Sequence, residues 1–87
     1  MTYTVLWKPT AEIALAGYWV EADSDLKRAI TETTDAIDVG LRKDPYAISE
    51  SRKGTERIVV EPPIVLAIDV LEEDCQVIVL SVRVVPE

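Results

Sequence analysis

The chain has 87 residues, of which 48% are apolar, and its nine basic and sixteen acidic residues give a net charge of −7. This length fits one domain, residues 1–87, and the negative charge disfavours a protein that binds nucleic acid over its whole surface, because Lys and Arg supply most of that affinity. Histidine is absent and Cys75 is the single cysteine, which excludes the commonest general base, an internal disulfide and a multi-cysteine zinc site.

The N-terminal half predicts one strand followed by two helices. Residues 2–7 alternate in side-chain character and are rich in β-branched and aromatic residues, as in a strand. Pro9 suits the first turn of a helix over residues 11–20, since the N–H that proline lacks has no partner there. A second helix has apolar residues at three- and four-residue steps from Leu26 to Leu41 and ends at the Asp-Pro pair 44–45, and Asp23 or Ser24 can cap its beginning. Two helices joined by a tight turn form an antiparallel hairpin.

The C-terminal half predicts three strands. Residues 46–54 lack periodicity and are expected to form a loop, and 55–61 alternate like a strand that ends at two prolines. Ile64–Leu71 is a nearly continuous apolar run, typical of a central strand covered on both faces, and an acidic turn separates it from a last strand over 76–85. The predicted fold is α+β, with the order β-α-α-β-β-β. A helical hairpin packs on one face of a small, mainly antiparallel sheet with a C-terminal three-stranded meander.

The helical stripes and one face of each strand are expected to bury one another. On the strand over 55–61, this expectation turns Ile58 and Val60 inward and Val59 outward. The predicted core consists of Val5, Trp7, Ile13, Val20, Leu26, Ile30, Ile37, Ile58, Val60, Leu66, Ile68, Val70, Ile78, Leu80 and Val82.

The apolar runs are too short for a membrane-spanning helix. The longest, 64–68 and 77–80, fall well below the ~20 residues that a bilayer requires. The N-terminal residues lack the basic and apolar regions of a signal peptide. We therefore expect a cytoplasmic protein with no membrane partner, and nothing in the sequence predicts a cofactor, a metal site or a small-molecule substrate.

The element order and hydrophobic pattern resemble those of RelE/ParE-type toxins of bacterial type II toxin–antitoxin systems, a group that includes plasmid-stabilisation proteins. The helical hairpin closes in Leu-Arg-Lys-Asp-Pro at residues 41–45, and residues 57–70 and 75–85 follow the strand pattern of the family's meander. The resemblance extends over nearly the whole chain and is carried by order and pattern rather than by a short motif.

The resemblance implies a toxin that acts on a macromolecular target and is neutralised by a cognate antitoxin. RelE-like members are ribosome-dependent ribonucleases that cut messenger RNA with Lys and Arg side chains and without a metal. ParE-like members instead poison DNA gyrase. The implied partners are therefore the antitoxin and either the ribosome with messenger RNA or gyrase, and a homodimer is a further expectation.

If the chain is an enzyme, the resemblance implies a metal-independent messenger RNA endoribonuclease, with Arg52, Lys53, Arg57 and Arg83 as candidate catalytic residues. Glu61 stands where RelE-like ribonucleases place an arginine, and a carboxylate there would repel the scissile phosphate. The central strand holds no basic residue, and the terminal basic or tyrosine residues of many members are lacking. These departures favour a member that is not a ribonuclease.

Residues 42–57 carry five cations against three carboxylates, a net charge of +2, which leaves −9 for the rest of the chain. This segregation suits a surface for phosphate or for an acidic antitoxin segment, with Arg42 and Lys43 as candidate partner-binding residues. Alternatively, the segment is a helix end that favours positive charge, followed by a solvated loop. Trp19 is a third partner-binding candidate because aromatic residues are common at binding hot spots.

Two functions from different classes are compatible with these observations. The first is a toxin or toxin-like protein, and the second is a non-toxic interaction or dimerisation module on the same scaffold. The net charge and the missing catalytic side chains favour the module. Growth on inducible expression, with and without a neighbouring small gene, distinguishes them.

Overall fold

The computed structural model describes residues 2–85. Its elements in chain order are β1 (Thr4–Trp7), α1 (Pro9–Glu21), α2 (Ser24–Lys43), β2 (Glu50–Lys53), β3 (Glu56–Glu61), β4 (Ile64–Leu71), a 3-10 turn (Glu72–Asp74) and β5 (Gln76–Val84). The strands form one sheet in the order β1-β5-β4-β3-β2, and only the β1–β5 pair is parallel. The predicted α+β class, with a helical hairpin followed by an antiparallel meander, is confirmed.

Strand β2 lies where the sequence predicts a loop. It pairs antiparallel with β3 through an irregular register, and Gly54 connects the two with a φ of 60°. The loop prediction for 46–54 is therefore wrong over Glu50–Lys53. This edge strand has the sequence Glu-Ser-Arg-Lys and is exposed throughout, so it has no apolar alternation to reveal it. Charged edge strands are common because they resist pairing with other chains.

The ends of both helices follow the sequence expectations. Helix α1 begins at Pro9, and the Asp23 carboxylate caps α2 by accepting a 2.8 Å hydrogen bond from the backbone N–H of Leu26. Helix α2 ends at Lys43, and three of its apolar residues are buried in the core: Ile30, Ile37 and Leu41.

Helix α1 is less buried than its composition suggests. Ala11 is its one buried residue, while Ala14 and Leu15 pack partly against the core. The prediction that Ile13 and Val20 belong to the core is wrong, since they are 72% and 67% exposed. Apolar residues lie on several sides of this helix, so their spacing does not identify the buried side.

The core lies between the two helices and one face of the sheet. It consists of Val5, Ala11, Ile30, Ile37, Leu41, Val59, Ile64, Leu66, Ile68, Val70, Val77, Val79 and Val82. Strand β4 is the central strand of the five, as predicted, and its alternate residues from Ile64 to Val70 are buried. Within residues 2–85 the helices cover only this face, whereas the sequence suggests that β4 is covered on both.

Strand β3 turns the opposite way from the prediction. Val59 faces Leu66 and is 0% exposed, whereas Val60 is 59% exposed and Ile58 is half-buried on the other face. The predicted inward positions of Ile58 and Val60 are therefore wrong. Both faces of this strand carry apolar side chains, and Arg57 shares the inward face with Val59. The polarity of the residues therefore does not identify the buried face of β3.

A β-bulge explains the second reversal, in β5. Ala67 pairs with Ser81 and Ile68 with Val79, which leaves Leu80 as an extra residue on β5. A bulge exchanges the faces of the residues on its two sides. Val77 and Val79 therefore point inward before the bulge and Val82 after it, so the prediction is wrong for Ile78 and Leu80 and confirmed for Val82.

We call the sheet surface opposite the helices the open face. Alternation along the paired strands places these apolar residues on it: Leu6, Ile58, Val60, Val65, Ala67 and Ile78. Leu6 is 44% exposed, and the residues other than Leu6 and Val60 are half-buried.

In the described part of the chain, neither helix is long and apolar enough to cross a bilayer.

Replacing the two helical glycines with alanine is expected to have different effects. A Cβ at Gly17 would meet no atom within 4 Å, whereas one at Gly40 would lie 2.9 Å from Ile48 Cδ1 and 3.3 Å from its Cγ2. Gly17→Ala should raise the free energy of unfolding by about 0.5–1 kcal/mol, the usual helix preference for alanine. The free energy of unfolding of Gly40→Ala should be at least ~1 kcal/mol lower than that of Gly17→Ala, because Ile48 must move. Urea denaturation followed by circular dichroism measures both, and equal values would contradict the close packing at Gly40.

Candidate functional site

Arg57 is held in place by the segment that follows helix α2. Its Nε donates to Ser49 Oγ at 2.7 Å, and its Nη2 donates to the Ser49 carbonyl oxygen at 2.8 Å. The guanidinium carbon lies 4.9 Å from the centre of the Tyr46 ring, within the range of a cation–π interaction. Ser49 is buried and donates its own hydroxyl to the Pro45 carbonyl oxygen at 2.5 Å. This candidate catalytic residue thus connects β3 to the α2–β2 segment.

A cleft of about 420 Å³ opens beside Arg57. Its lining consists of Tyr46, Gly54, Thr55, Arg57, Val70, Leu71, Glu72, Glu73 and Asp74. The 3-10 turn contributes three carboxylates, against one guanidinium that already makes two hydrogen bonds to Ser49. Carboxylates around a phosphate repel it, so this balance of charge disfavours RNA in the cleft.

The four candidate catalytic cations do not converge on one surface. Arg52 and Lys53 lie exposed on the edge strand β2. Arg83 lies exposed on β5 and points to the open face, because its neighbour Val82 points into the core. Arg57 extends from the opposite, helix-covered face, and the register places it three residues along β3 from the row of Arg83, roughly 10 Å away along the strand.

The predicted partner-binding cations lie at the end of helix α2. Arg42 Nε and Asp38 Oδ2 are 2.8 Å apart, and this is the single ion pair within 4 Å among residues 2–85. Both side chains are substantially exposed, so the pair contributes little to stability. Lys43 is exposed next to Arg42, and Trp19 lies on the other helix, α1.

Trp19 lies on a groove between the two helices, about 820 Å³ in volume. We call it the interhelical groove, and its lining consists of Trp7, Glu12, Leu15, Ala16, Trp19, Val20, Ile30, Thr31, Thr34, Asp35, Asp38 and Val39. Trp19 Nε1 donates to Thr31 Oγ1 at 3.3 Å, and Lys27 Nζ lies 4.6 Å from the centre of the indole ring. The indole is therefore fixed in orientation while 42% of the residue stays exposed.

The sequence marked Trp19 but missed the apolar residues around it. Leu15 and Val39 were not candidates, and Val20 was assigned to the core although it is 67% exposed. One signal was available: a helix with apolar residues on all sides is normally covered on all sides, so α1 requires more cover than one sheet face gives it.

Tyr3 precedes β1 and lies near Tyr46 and Glu72, two lining residues of the cleft beside Arg57. Its backbone N–H donates to the Arg42 carbonyl oxygen at 2.8 Å, and its side chain is half-buried. Burial raises the pKa of the Tyr3 phenol above its usual value of 10.0, and Tyr46, Glu72, Cys75 and Asp44 add to this increase. The neutral phenol is the form that the fold favours.

The raised pKa of Tyr3 predicts a loss of stability in alkaline solution. The contribution of the neutral phenol is complete below about pH 10, the unfolded value, and is lost as the pH rises through the higher folded value. Tyr3→Phe should therefore show a smaller fall in unfolding free energy above pH 10 than the parent. Titration of the absorbance at 295 nm should show one more ionising phenol in the parent than in Tyr3→Phe. The pKa of that phenol in the folded parent should lie above its pKa in urea, and a folded pKa at or below the pKa in urea would contradict the prediction.

No three residues among the described His, Cys, Asp and Glu side chains lie close enough together to hold a metal ion. The candidate functional features in the described part of the chain are the dispersed cations, the cleft beside Arg57, the interhelical groove and the open face.

Comparison with known proteins identifies the fold. The chain matches a chain of the crystal structure of the RelBE2 toxin–antitoxin complex from Mycobacterium tuberculosis, with a TM-score of 0.73, 18% identity and coverage of 97% of this chain and 99% of that chain. It also matches the isolated E. coli RelE toxin, with a TM-score of 0.61, 16% identity and coverage of 98% and 86%. A double arginine-to-alanine mutant of E. coli RelE matches with a TM-score of 0.60, 17% identity and coverage of 94% of this chain and 82% of that chain.

These likenesses establish that the chain has the fold of RelE toxins over nearly its full length. No protein-family model and no curated protein matches its sequence. One of the matched structures is a toxin–antitoxin complex.

Proposed function

We propose that this chain is the toxin or toxin-like component of a type II toxin–antitoxin pair, acting on a macromolecular target by binding rather than by cutting RNA. The RelE fold over nearly the whole chain supports the toxin scaffold. The observation that carries the second half is the dispersal of the basic residues. Arg57 is engaged by Ser49 on the helix-covered face, and Arg83 lies on the opposite face.

A metal-independent ribonuclease needs several cations around one phosphate, because their charge must stabilise the transition state together. Here the cleft beside Arg57 is lined by three carboxylates, and Glu61 lies at the end of β3. Apolar residues dominate the open face around Arg83. These surfaces suit protein contacts, so gyrase or a protein of the translation machinery is a better target than the phosphates of messenger RNA.

Growth on inducible expression tests the proposal. Expression of the chain alone should inhibit growth, and co-expression of the neighbouring small gene should restore it. Messenger RNA in a translating extract should stay intact, and the triple variant Arg52→Ala/Lys53→Ala/Arg83→Ala should inhibit growth as strongly as the parent. These three residues are exposed, so their replacement should leave the fold unchanged.

Two outcomes would overturn the proposal in different ways. Messenger RNA cleavage that the triple variant abolishes would make the chain a ribonuclease. Unimpaired growth at an expression level verified by immunoblot would favour the non-toxic interaction module. The exposed apolar residues of α1 and of the open face give that second function its physical basis, since surfaces of this kind mark interaction sites.

A further inference from the structure

The interhelical groove has the shape that receives a helix. On α1 it is lined at positions 12, 15, 16, 19 and 20, and on α2 at 30, 31, 34, 35, 38 and 39. Both sets recur at three- and four-residue steps over about two helical turns, and such rows form ridges between which the side chains of a third helix fit. Ala16 keeps the wall of α1 low, while Trp7, Leu15 and Ile30 make the groove apolar.

The charges in the groove have one sign. Glu12, Asp35 and Asp38 are its ionisable lining residues, and no Lys or Arg belongs to the lining. Arg42 pairs with Asp38, while neither Glu12 nor Asp35 has an ion-pair partner within 4 Å among residues 2–85. The Trp19 ring, which also lines the groove, already attracts the ammonium group of Lys27. A segment that binds here is therefore favoured if it carries positive charge beside its apolar side chains.

We propose that the interhelical groove binds a basic amphipathic helix of the antitoxin, with apolar anchors at i, i+3 or i+4 and i+7 and with flanking Lys or Arg. This inference rests on the proposed function, because it names the chemistry of the partner that neutralises the toxin. It reverses the expectation from the basic segment 42–57, which suggested an acidic antitoxin segment. The helix-in-groove arrangement is a recurring form of peptide recognition.

Two designed peptides of about 15 residues test the chemistry of the groove. One presents leucines on one face and lysines on the other, and its counterpart has glutamate at every lysine. Fluorescence anisotropy of the labelled peptides should show at least tenfold tighter binding of the lysine peptide at low salt. This preference should shrink as NaCl rises from 50 to 500 mM, because salt screens charges at the rim.

Matched variants separate the groove from the rest of the surface. Val20→Gln/Val39→Gln removes two exposed apolar lining residues and should weaken binding of the lysine peptide at least tenfold. Ile13→Gln/Tyr18→Gln removes two exposed apolar residues outside the groove and should change it less than twofold. Circular dichroism verifies that both variants remain folded.

Charge reversal provides the second pair of variants. Glu12→Lys/Asp35→Lys should transfer the preference to the glutamate peptide. Glu72→Lys/Glu73→Lys makes the same change in net charge outside the groove and should keep the preference for lysine. This control distinguishes a local site from general attraction to a chain with a net charge of −7.

Three results would overturn the inference: equal binding of the two peptides, equal loss in both double-glutamine variants, or an unchanged preference after Glu12→Lys/Asp35→Lys. A concentration-dependent dimer that Val20→Gln/Val39→Gln dissociates, without peptide binding, would instead assign the groove to a second copy of the chain. Growth inhibition relieved by the neighbouring gene, together with failure of the peptide tests, would leave the proposed function standing without this docking site. Peptide binding with the predicted selectivity in a chain that does not inhibit growth would support the groove and reject the toxin.

Discussion

Val59→Asp is expected to unfold the chain, whereas Val60→Asp, one residue further along the same strand, leaves it folded. Val59 is 0% exposed and pairs with the buried Leu66, so a carboxylate there is shielded from solvent, and Arg57 on the same face already donates two hydrogen bonds to Ser49. Burying an unpaired charge costs several kcal/mol, comparable to the total stability of roughly 5–15 kcal/mol that small domains have. Val60 is 59% exposed on the open face, so its replacement should cost less than about 1 kcal/mol.

The measurement is the far-ultraviolet circular dichroism spectrum and the urea midpoint of each variant. Val59→Asp gives no measurable midpoint if it is unfolded in buffer, so Val59→Ala and Val60→Ala supply the same comparison on a smaller scale. The first should cost roughly 2 kcal/mol through lost burial and a small cavity, and the second less than about 0.5 kcal/mol. A larger loss for Val60→Ala than for Val59→Ala would mean that β3 turns Ile58 and Val60 inward, as the sequence suggested, and equal losses would contradict the difference in burial between the two positions.

Arg57→Ala is expected to lower the free energy of unfolding by about 1.5–3 kcal/mol, the range for hydrogen bonds made by charged groups. The change removes two donors to Ser49 and the cation over Tyr46, so the segment from Pro45 to Ser49 loses the side-chain contacts that Arg57 gives it. Urea denaturation at constant salt measures the effect. It should be accompanied by a change in the fluorescence or near-ultraviolet signal of Tyr46.

Two further variants identify the geometry as the cause. Arg57→Lys should recover only part of the loss, because an ammonium group cannot donate two bonds in the fixed directions of a guanidinium. Arg52→Ala, an exposed cation five residues earlier, should stay within about 0.5 kcal/mol of the parent. A loss of less than 0.5 kcal/mol in Arg57→Ala would show that the guanidinium is not a structural anchor and would restore it as a candidate for catalysis.

The fold was predictable where local chemistry decides the structure. Pro9 and Asp23 mark the starts of the helices, and the apolar run Ile64–Leu71 has the bounds of β4. These signals act over a few residues and need no knowledge of the partner element. Strand β2 gave no such signal, because it is held by backbone pairing with β3 and its side chains face solvent.

The direction of the side chains was harder to predict. On β3 and β5 both faces carry apolar residues, so alternation fixes which residues share a face but not which face is buried. The bulge at Leu80 then exchanges the faces within a single strand. The candidate site has the same limit. The sequence identifies Arg57 as a candidate, but the direction of its side chain depends on hydrogen bonds to Ser49, which lies in a segment without periodicity.

The parallel pairing of β1 with β5 has a consequence for synthesis of the protein. Thr4–Trp7, the first strand to leave the ribosome, finds its partner only in Gln76–Val79, at the far end of the chain. Helix α1 also packs mainly against β5 and less extensively against α2, so the N-terminal third lacks its main packing partner until β5 has been made. Contacts so distant in sequence form slowly, since the loop between them must close first. We therefore expect a chain that stops before β5 to lack the pairing of β1 and the main packing of α1, and with them the interhelical groove.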